Sequence, residues 1–154
     1  MPNTPALIGK GAAGLFANAR VSTEQKTLTT QMMQSIGVAN WVKSESDIDS
    51  ITALSGSGPA YFMLFIQGLI ESSVKAGIDA DTAKTLAVQT ALGTAELINS
   101  SELDLKTLID NVTSPNGTTE QALKSFADQD LKGSIQSAFD AARIRSEQLA
   151  KELG

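Results

Sequence analysis

Pro59-Ala60-Tyr61-Phe62-Met63-Leu64-Phe65-Ile66 is the stretch that decides the fold. From Ala60 to Ile66 it offers no polar face for two helical turns. A helix on the surface of a globular protein keeps polar side chains on its solvent side. This one is therefore expected to be buried all round. A helical domain of ~110 residues has difficulty surrounding such a helix alone, because small domains bury a small share of their surface. A partner subunit that supplies the missing cover is the simpler expectation. A central helix inside a monomer is the alternative.

Outward from this helix, residues 46–154 read as helix after helix. Ile48, Ile51, Thr52 and Leu54 begin a short helix that is expected to stop at Ser55-Gly56-Ser57-Gly58. Pro59 suits the first turn of the next helix, which runs to about Ala76, with Gly77 as its C-terminal stop. Asp79 or Asp81 caps a long helix to about Asn99 whose inner face is small: Ala83, Ala87, Ala91 and Ala95. Leu105, Leu108, Ile109 and Val112 have amphipathic helical spacing. A further helix starts at Thr118 or Thr119, where Thr118 and Gln121 match a capping box. Leu131, Ile135, Ala138, Phe139, Ala142, Leu149 and Leu153 form the stripe of the last helix.

Residues 1–43 have a different texture, punctuated by Gly and Pro. Leu15-Phe16-Ala17 reads as a short strand. Ser22-Thr23-Glu24-Gln25 is a capping box opening a helix to Ile36, with Leu28, Met32, Met33 and Ile36 on one face and Gly37 as its stop. Val38 to Val42 reads as a second strand, so this part is strand–helix–strand, a fragment of an α/β pattern.

The chain has 154 residues, a formal charge of −5, no histidine and no cysteine. Thiolate chemistry, Ser-His-Asp catalysis and the usual zinc and haem ligands are thereby excluded, as is a disulfide-stapled scaffold. Any acid or base is a carboxylate, Lys or Tyr. Asp79 and Asp81 read as caps before metal ligands, and no metal site is expected. The twelve basic residues are scattered, which argues against a nucleic-acid partner. Met1 to Pro5 has neither the basic nor the apolar region of a signal peptide. The apolar run Ala60 to Ile70 falls short of the ~20 residues of a bilayer span. A soluble, cytoplasmic protein is expected.

Three glycine-bearing segments are candidate sites. Gly9-Lys10-Gly11-Ala12-Ala13-Gly14 matches G-x-G-x-x-G literally, yet prolines crowd its upstream side and no long helix opens within it, so it is rejected as a dinucleotide loop. Ser55-Gly56-Ser57-Gly58-Pro59-Ala60-Tyr61 is either a site where backbone approaches a ligand ahead of a helix N-terminus or a capped helix–helix turn. Val112-Thr113-Ser114-Pro115-Asn116-Gly117-Thr118-Thr119 is the best candidate. Ser-Pro-Asn-Gly satisfies a type I turn feeding a helix N-terminus, and the hydroxyls and N–H donors it gathers suit a carboxylate or phosphate. An ordinary capped turn needs only one Thr. Glu102 reads as a solvated acid near a helix start, and Arg143 and Arg145 as solvated or paired.

Together, Met1-Pro2-Asn3-Thr4-Pro5-Ala6, Thr52-Ala53-Leu54-Ser55-Gly56-Ser57-Gly58-Pro59-Ala60-Tyr61 and Val112 to Thr119 resemble pyrroline-5-carboxylate reductase, in order and spacing. The resemblance covers essentially the whole chain. It implies a mainly α fold. Residues 44–154 would be an all-helical dimerisation and substrate-binding domain, similar to the C-terminal domain of 6-phosphogluconate dehydrogenase. Residues 1–43 would be the last strand–helix–strand piece of a Rossmann domain whose pyrophosphate-binding turn is missing from this chain. It implies the last step of proline biosynthesis, reduction of 1-pyrroline-5-carboxylate to L-proline with NADPH or NADH, by a homodimer that assembles further into decamers. By position, Ser114, Asn116, Gly117, Thr118 and Thr119 would hold the substrate carboxylate, with Thr119 as the catalytic hydroxyl at the ring nitrogen. Glu102 and Thr52 are weaker candidates. Met1, Pro2, Asn3, Ser57, Gly58, Pro59 and Ala60 would lie at the nicotinamide end of the cofactor. The family has Gly where this chain has Asn116, and Asn tolerates the left-handed region, so the loop is expected to keep its shape.

The implied chemistry fits the composition. A protonated cyclic imine is already electrophilic, so hydride transfer needs orientation and charge placement rather than a titrating histidine. This chain alone is expected to show little reductase activity. The competing expectation is a non-catalytic helical dimerisation module derived from that enzyme.

Overall fold

A computed structural model describes residues 1–153. After a 3-10 helix, Thr4–Ile8, come β1 (Gly11–Leu15), α1 (Thr23–Gln34), β2 (Gly37–Trp41) and α2 (Asp47–Ile51). A π-helical turn (Thr52–Gly56) joins α2 to α3 (Gly58–Lys75), followed by α4 (Ala80–Ser100), α5 (Leu105–Asn111), α6 (Thr118–Asp128) and α7 (Leu131–Leu153). The chain divides into two compact units, Met1–Phe62 with Ile135–Gly154, and Met63–Ser134.

In the first unit, β1 and β2 pair in parallel, Gly11 opposite Gly37 through Leu15 opposite Trp41. Parallel neighbours need a crossover, and α1 supplies it. The expected capping box is present: the Gln25 N–H donates to Ser22 Oγ and the Ser22 N–H to Gln25 Oε1. The helix stops at Gln34, and Gly37 opens β2 rather than ending α1. Leu28 and Met32 are exposed, whereas Met33 and Ile36 are half-buried, so only part of the expected stripe is covered.

The first strand lies four residues earlier than expected, inside the Gly-rich segment, and close packing is the reason. A Cβ on Gly37 would sit 2.0 Å from the carbonyl oxygen of Gly11, and one on Gly14 would sit 2.6 Å from the Ile51 side chain. These glycines let two backbones and a helix approach one another. Gly9, at φ 70, ends the 3-10 helix. No helix opens within the segment, which agrees with its rejection as a dinucleotide loop. On the other edge of β1, Met1 pairs with Gly14 through both backbone groups, at 2.8 and 3.0 Å.

The helix expected to stop at Ser55-Gly56-Ser57-Gly58 does not stop. In a π turn the N–H reaches the carbonyl five residues back and accommodates one extra residue. Here the Ser57 N–H donates to Thr52 O at 2.8 Å. The Thr52 and Ser55 hydroxyls donate to the carbonyls of Ile48 and Ile51. The backbone stays bonded, so no reversal is needed. The resulting run Asp47–Lys75 has 29 residues and is long and apolar enough, by length and composition, to cross a membrane. That corrects the expectation drawn from Ala60 to Ile70 alone. Helix α7 meets α2 where the Ser146 hydroxyl donates to Asp49 Oδ1 at 2.7 Å.

In the second unit, Gly77 (φ 94) ends α3 and Asp79 caps α4, accepting from the Thr82 N–H at 3.0 Å. The small face of α4 grades from buried Ala83, through half-buried Ala87 and Ala91, to exposed Ala95. Phe65 and Phe126 bring α3 and α6 together, ring centroids 6.2 Å apart. Asp104 caps α5, accepting from the Thr107 N–H at 2.8 Å.

Among the described residues the only buried apolar side chains are Ala13, Leu15, Ala53 and Ala83, and no large one is fully buried. Phe62 is 73% exposed and Leu64 70%. The reading of α3 as a central helix covered within a monomer is thereby corrected.

Candidate functional site

The loop between α5 and α6 is built by local hydrogen bonds. The Thr113 hydroxyl donates to Ile109 O at 2.6 Å and closes α5. The Gly117 N–H donates to Ser114 O at 2.9 Å, making Ser114–Gly117 a β-turn. Asn116, the third residue, has φ 59. Positive φ there defines a type II turn, not the expected type I. A Cβ on Gly117 would lie 2.3 Å from Ser114 Oγ, so glycine is what lets the Ser114 hydroxyl fold against the loop.

Helix α6 opens on Gly117 without a side-chain cap. The expected box between Thr118 and Gln121 is absent. Instead, Glu120 reaches back and accepts from the Asn116 N–H at 2.9 Å. Of the N–H groups of Gly117 to Thr119, expected to face a ligand, that of Gly117 is thus engaged, as is the neighbouring N–H of Asn116. Those of Thr118 and Thr119 fall in the first turn, where a helix provides no carbonyl partner. No hydrogen bond is found for the Ser114, Thr118 and Thr119 hydroxyls among the described residues. Ser114 and Thr118 are exposed, and Thr119 is half-buried. Two N–H donors and three hydroxyls thus have no hydrogen-bond partner among the described residues at the positive end of a helix dipole, with the Glu120 carboxylate on the flank. Glu102 is exposed ahead of α5 and no hydrogen bond or ion pair ties it to the loop among the described residues.

The second cluster lies in the first unit. The Asn3 carboxamide donates to Ser55 O and accepts from the Ala12 N–H, both at 2.9 Å. Met1 and Ser57 line an open groove of about 640 Å³ with Thr52, Asp49, Arg145 and Leu149. Of the two expected states, solvated or paired, both arginines are paired: Arg145 with Glu152 at 2.8 Å, and Arg143 with Asp140 and Glu147. Gly58 is buried, Pro59 half-buried, and Pro2 and Ala60 exposed. Thus Met1, Asn3 and Ser57 are brought together at the π turn, while Pro59 and Ala60 continue into α3.

The family model described as pyrroline-5-carboxylate reductase dimerisation matches residues 45–149. The chain belongs to the pyrroline-5-carboxylate reductase family. It is 47% identical to the pyrroline-5-carboxylate reductase of Pseudomonas aeruginosa over 154 residues, all of this chain and 56% of that protein. Against the Pasteurella multocida protein of the same name it is 42% identical over 152 residues, 98% of this chain and 55% of the relative. The chain spans about half the length of the curated relatives it matches. The solved structure of a pyrroline-5-carboxylate reductase from Coxiella burnetii superposes with a TM-score of 0.93 at 43% identity, covering 97% of this chain and 55% of that one. The Plasmodium falciparum pyrroline carboxylate reductase, solved with NADP bound, gives 0.89 at 36% identity over 96% and 60%.

Two features of the sites escape a reading of the sequence. The two-way bond of Asn3 joins residues 52 positions apart, and no spacing rule reaches that far. Glu120 stands three residues after Gly117, the N-cap, where a carboxylate commonly turns back, but the N–H it meets is that of Asn116, one residue before the cap. Gly117 has no side chain to complete the box, so the pattern reads one residue late.

Proposed function

We propose that this chain forms the substrate-binding and dimerising part of an NAD(P)H-dependent reductase that converts 1-pyrroline-5-carboxylate to L-proline in the cytoplasm. The observation that carries the reading is the Ser114–Thr119 loop, set inside the family match. Its unengaged N–H groups and hydroxyls are the right donors for a carboxylate. Ser114 and the Thr118 and Thr119 N–H groups would take the carboxylate oxygens. Asn116 and Gly117 would shape the turn, and the Thr119 hydroxyl would reach the ring nitrogen as the catalytic group. Glu102 would stay at the periphery.

A nicotinamide cofactor supplies the hydride when bound. The residues present fit one end of such a group. Met1, Asn3 and Ser57, which meet at the π turn, would face its flat amide-bearing ring, with Pro2, Gly58, Pro59 and Ala60 beside them. The pyrophosphate finds no cradle among the described residues. Gly9 to Gly14 form a helix end and a strand, and the α1 N-terminus is closed by its capping box with Glu24 in the first turn. We therefore read residues 1–43 as a Rossmann-type piece without that cradle and 44–154 as the helical domain, paired in a homodimer and further in a decamer. The acidic charge suits neither nucleic acid nor an anionic membrane surface.

L-Proline titrated into 15N-labelled protein tests the site. Shifts concentrated at the Thr118 and Thr119 amides are expected, and their absence would favour the non-catalytic dimerisation module. With 1-pyrroline-5-carboxylate and NADPH the chain by itself should turn over little substrate, and near-full turnover would overturn that expectation.

A further inference from the structure

We propose that Asn3 is a positioning residue, one that holds the π turn Thr52–Gly56 against β1 and so fixes where the Ser57 and Gly58 backbone stands. The inference rests on the reading that Ser57 and Gly58 face the nicotinamide end of a cofactor, and it changes the part expected of Asn3. Both polar functions of the Asn3 side chain are already engaged by protein. The amide nitrogen donates to Ser55 O and the amide oxygen accepts from the Ala12 N–H. An Asn side chain has two donors and two acceptor lone pairs, and with one of each held by protein the plane of the amide is fixed between strand and turn. What it holds is unusual backbone. Ser55 lies within the π turn, and the 2.8 Å bond from the Ser57 N–H to Thr52 O closes that turn.

The same joint is pinned from other sides. Ile51, the last residue of α2, lies over Gly14 of β1, and a Cβ on Gly56 would touch Met1 Sδ at 3.6 Å. These contacts are apolar and non-directional. Asn3 contributes the directional part, one donor and one acceptor in a planar group, and so sets both the distance and the tilt between strand and turn. π turns recur at functional sites because the extra residue re-aims the backbone on its C-terminal side. In this chain the re-aimed residue is Ser57, whose carbonyl accepts the Ala60 N–H at the start of α3.

The test separates the two bonds on the full chain. Asn3→Asp keeps an acceptor for the Ala12 N–H and removes the donor to Ser55 O, whereas Asn3→Ala removes both. In Asn3→Asp, amide exchange at Ser57 should quicken on the order of five- to tenfold, the loss of about one hydrogen bond. Ala12 and Val42 should keep their protection and the melting curve should hardly move. Asn3→Ala should free Ala12 as well. Unchanged Ser57 exchange and shifts in both variants would overturn the proposal. So would global unfolding of Asn3→Asp, which would make Asn3 a general stabilising residue. Reduced nicotinamide mononucleotide, titrated into the unaltered chain and into Asn3→Asp, tests the link to the cofactor. Shifts at Ser57 and Gly58 that weaken at least threefold in the variant are expected. If the unaltered chain shows no shifts, the cofactor reading fails, while the exchange data still decide the role of Asn3.

Discussion

Asn116 holds its backbone at φ 59, a region where an ordinary L residue costs roughly 1–2 kcal/mol and Asn or Gly much less. Asn116→Ala should therefore lower stability by about 1 kcal/mol in urea denaturation, while Asn116→Gly should be near neutral and leave the proline-induced shifts at Thr118 and Thr119 unchanged. A larger loss in the Gly variant than in the Ala variant would contradict the turn geometry. The tolerance of Asn for this conformation was legible from residue type. The turn class was not, because Ser then Pro opens type I and type II turns alike and only the third residue separates them. The grip of Glu120 on the Asn116 N–H was hidden for a related reason: a first-turn carboxylate has several donors within reach, and the glycine cap decides among them.

At the scale of the element, the helix starts were legible because capping is local. Ser22, Asp79 and the C-terminal glycine Gly77 all stand where their chemistry predicts. The aspartate caps also set a pH dependence. The carboxyls of Asp79 and Asp104 are held below the ordinary value, first by the backbone N–H of Thr82 and of Thr107, then by the hydroxyls of the same two residues. A carboxyl lowered in the folded state stabilises above its unfolded pKa of ~3.9, and that contribution is lost as pH falls through the lowered folded value. Amide exchange at Thr82 and Thr107 should thus be flat from pH 7 to 5, once corrected for intrinsic rates, and rise below pH 4. A rise already between pH 7 and 5 would contradict the assignment. The first strand and the π turn are hidden from the sequence because their causes are tertiary. Glycines in β1 disfavour a strand by propensity, but the approach of Gly37 and Ile51 overrides it, and Ser-Gly-Ser-Gly reads as a turn until Asn3 is seen to hold it.

At the scale of the whole molecule, Phe62, Met63 and Leu64 stand in the open. Light scattering at micromolar concentration should report a dimer or a larger assembly, and the melting temperature should rise with protein concentration. Phe62→Asp should shift the population toward smaller particles. A concentration-independent monomer in the unaltered chain would overturn the dimerising role. That the helix needed cover was legible from Ala60 to Ile66 alone. What covers it was not, since an apolar face carries no address.

The joint between α2 and α3 has one more consequence. An α-helix advances ~100° of rotation per residue, and the wider π turn takes up its single extra residue without passing that step on to α3. Deleting any one residue between Thr52 and Gly56 would let the run close as a uniform α-helix with every backbone bond kept. Circular dichroism would register almost no change. The side chains of α3 would keep their rotational phase relative to Ile48 and Ile51 of α2, and what the shortening removes is the widened backbone that Asn3 holds at Ser55.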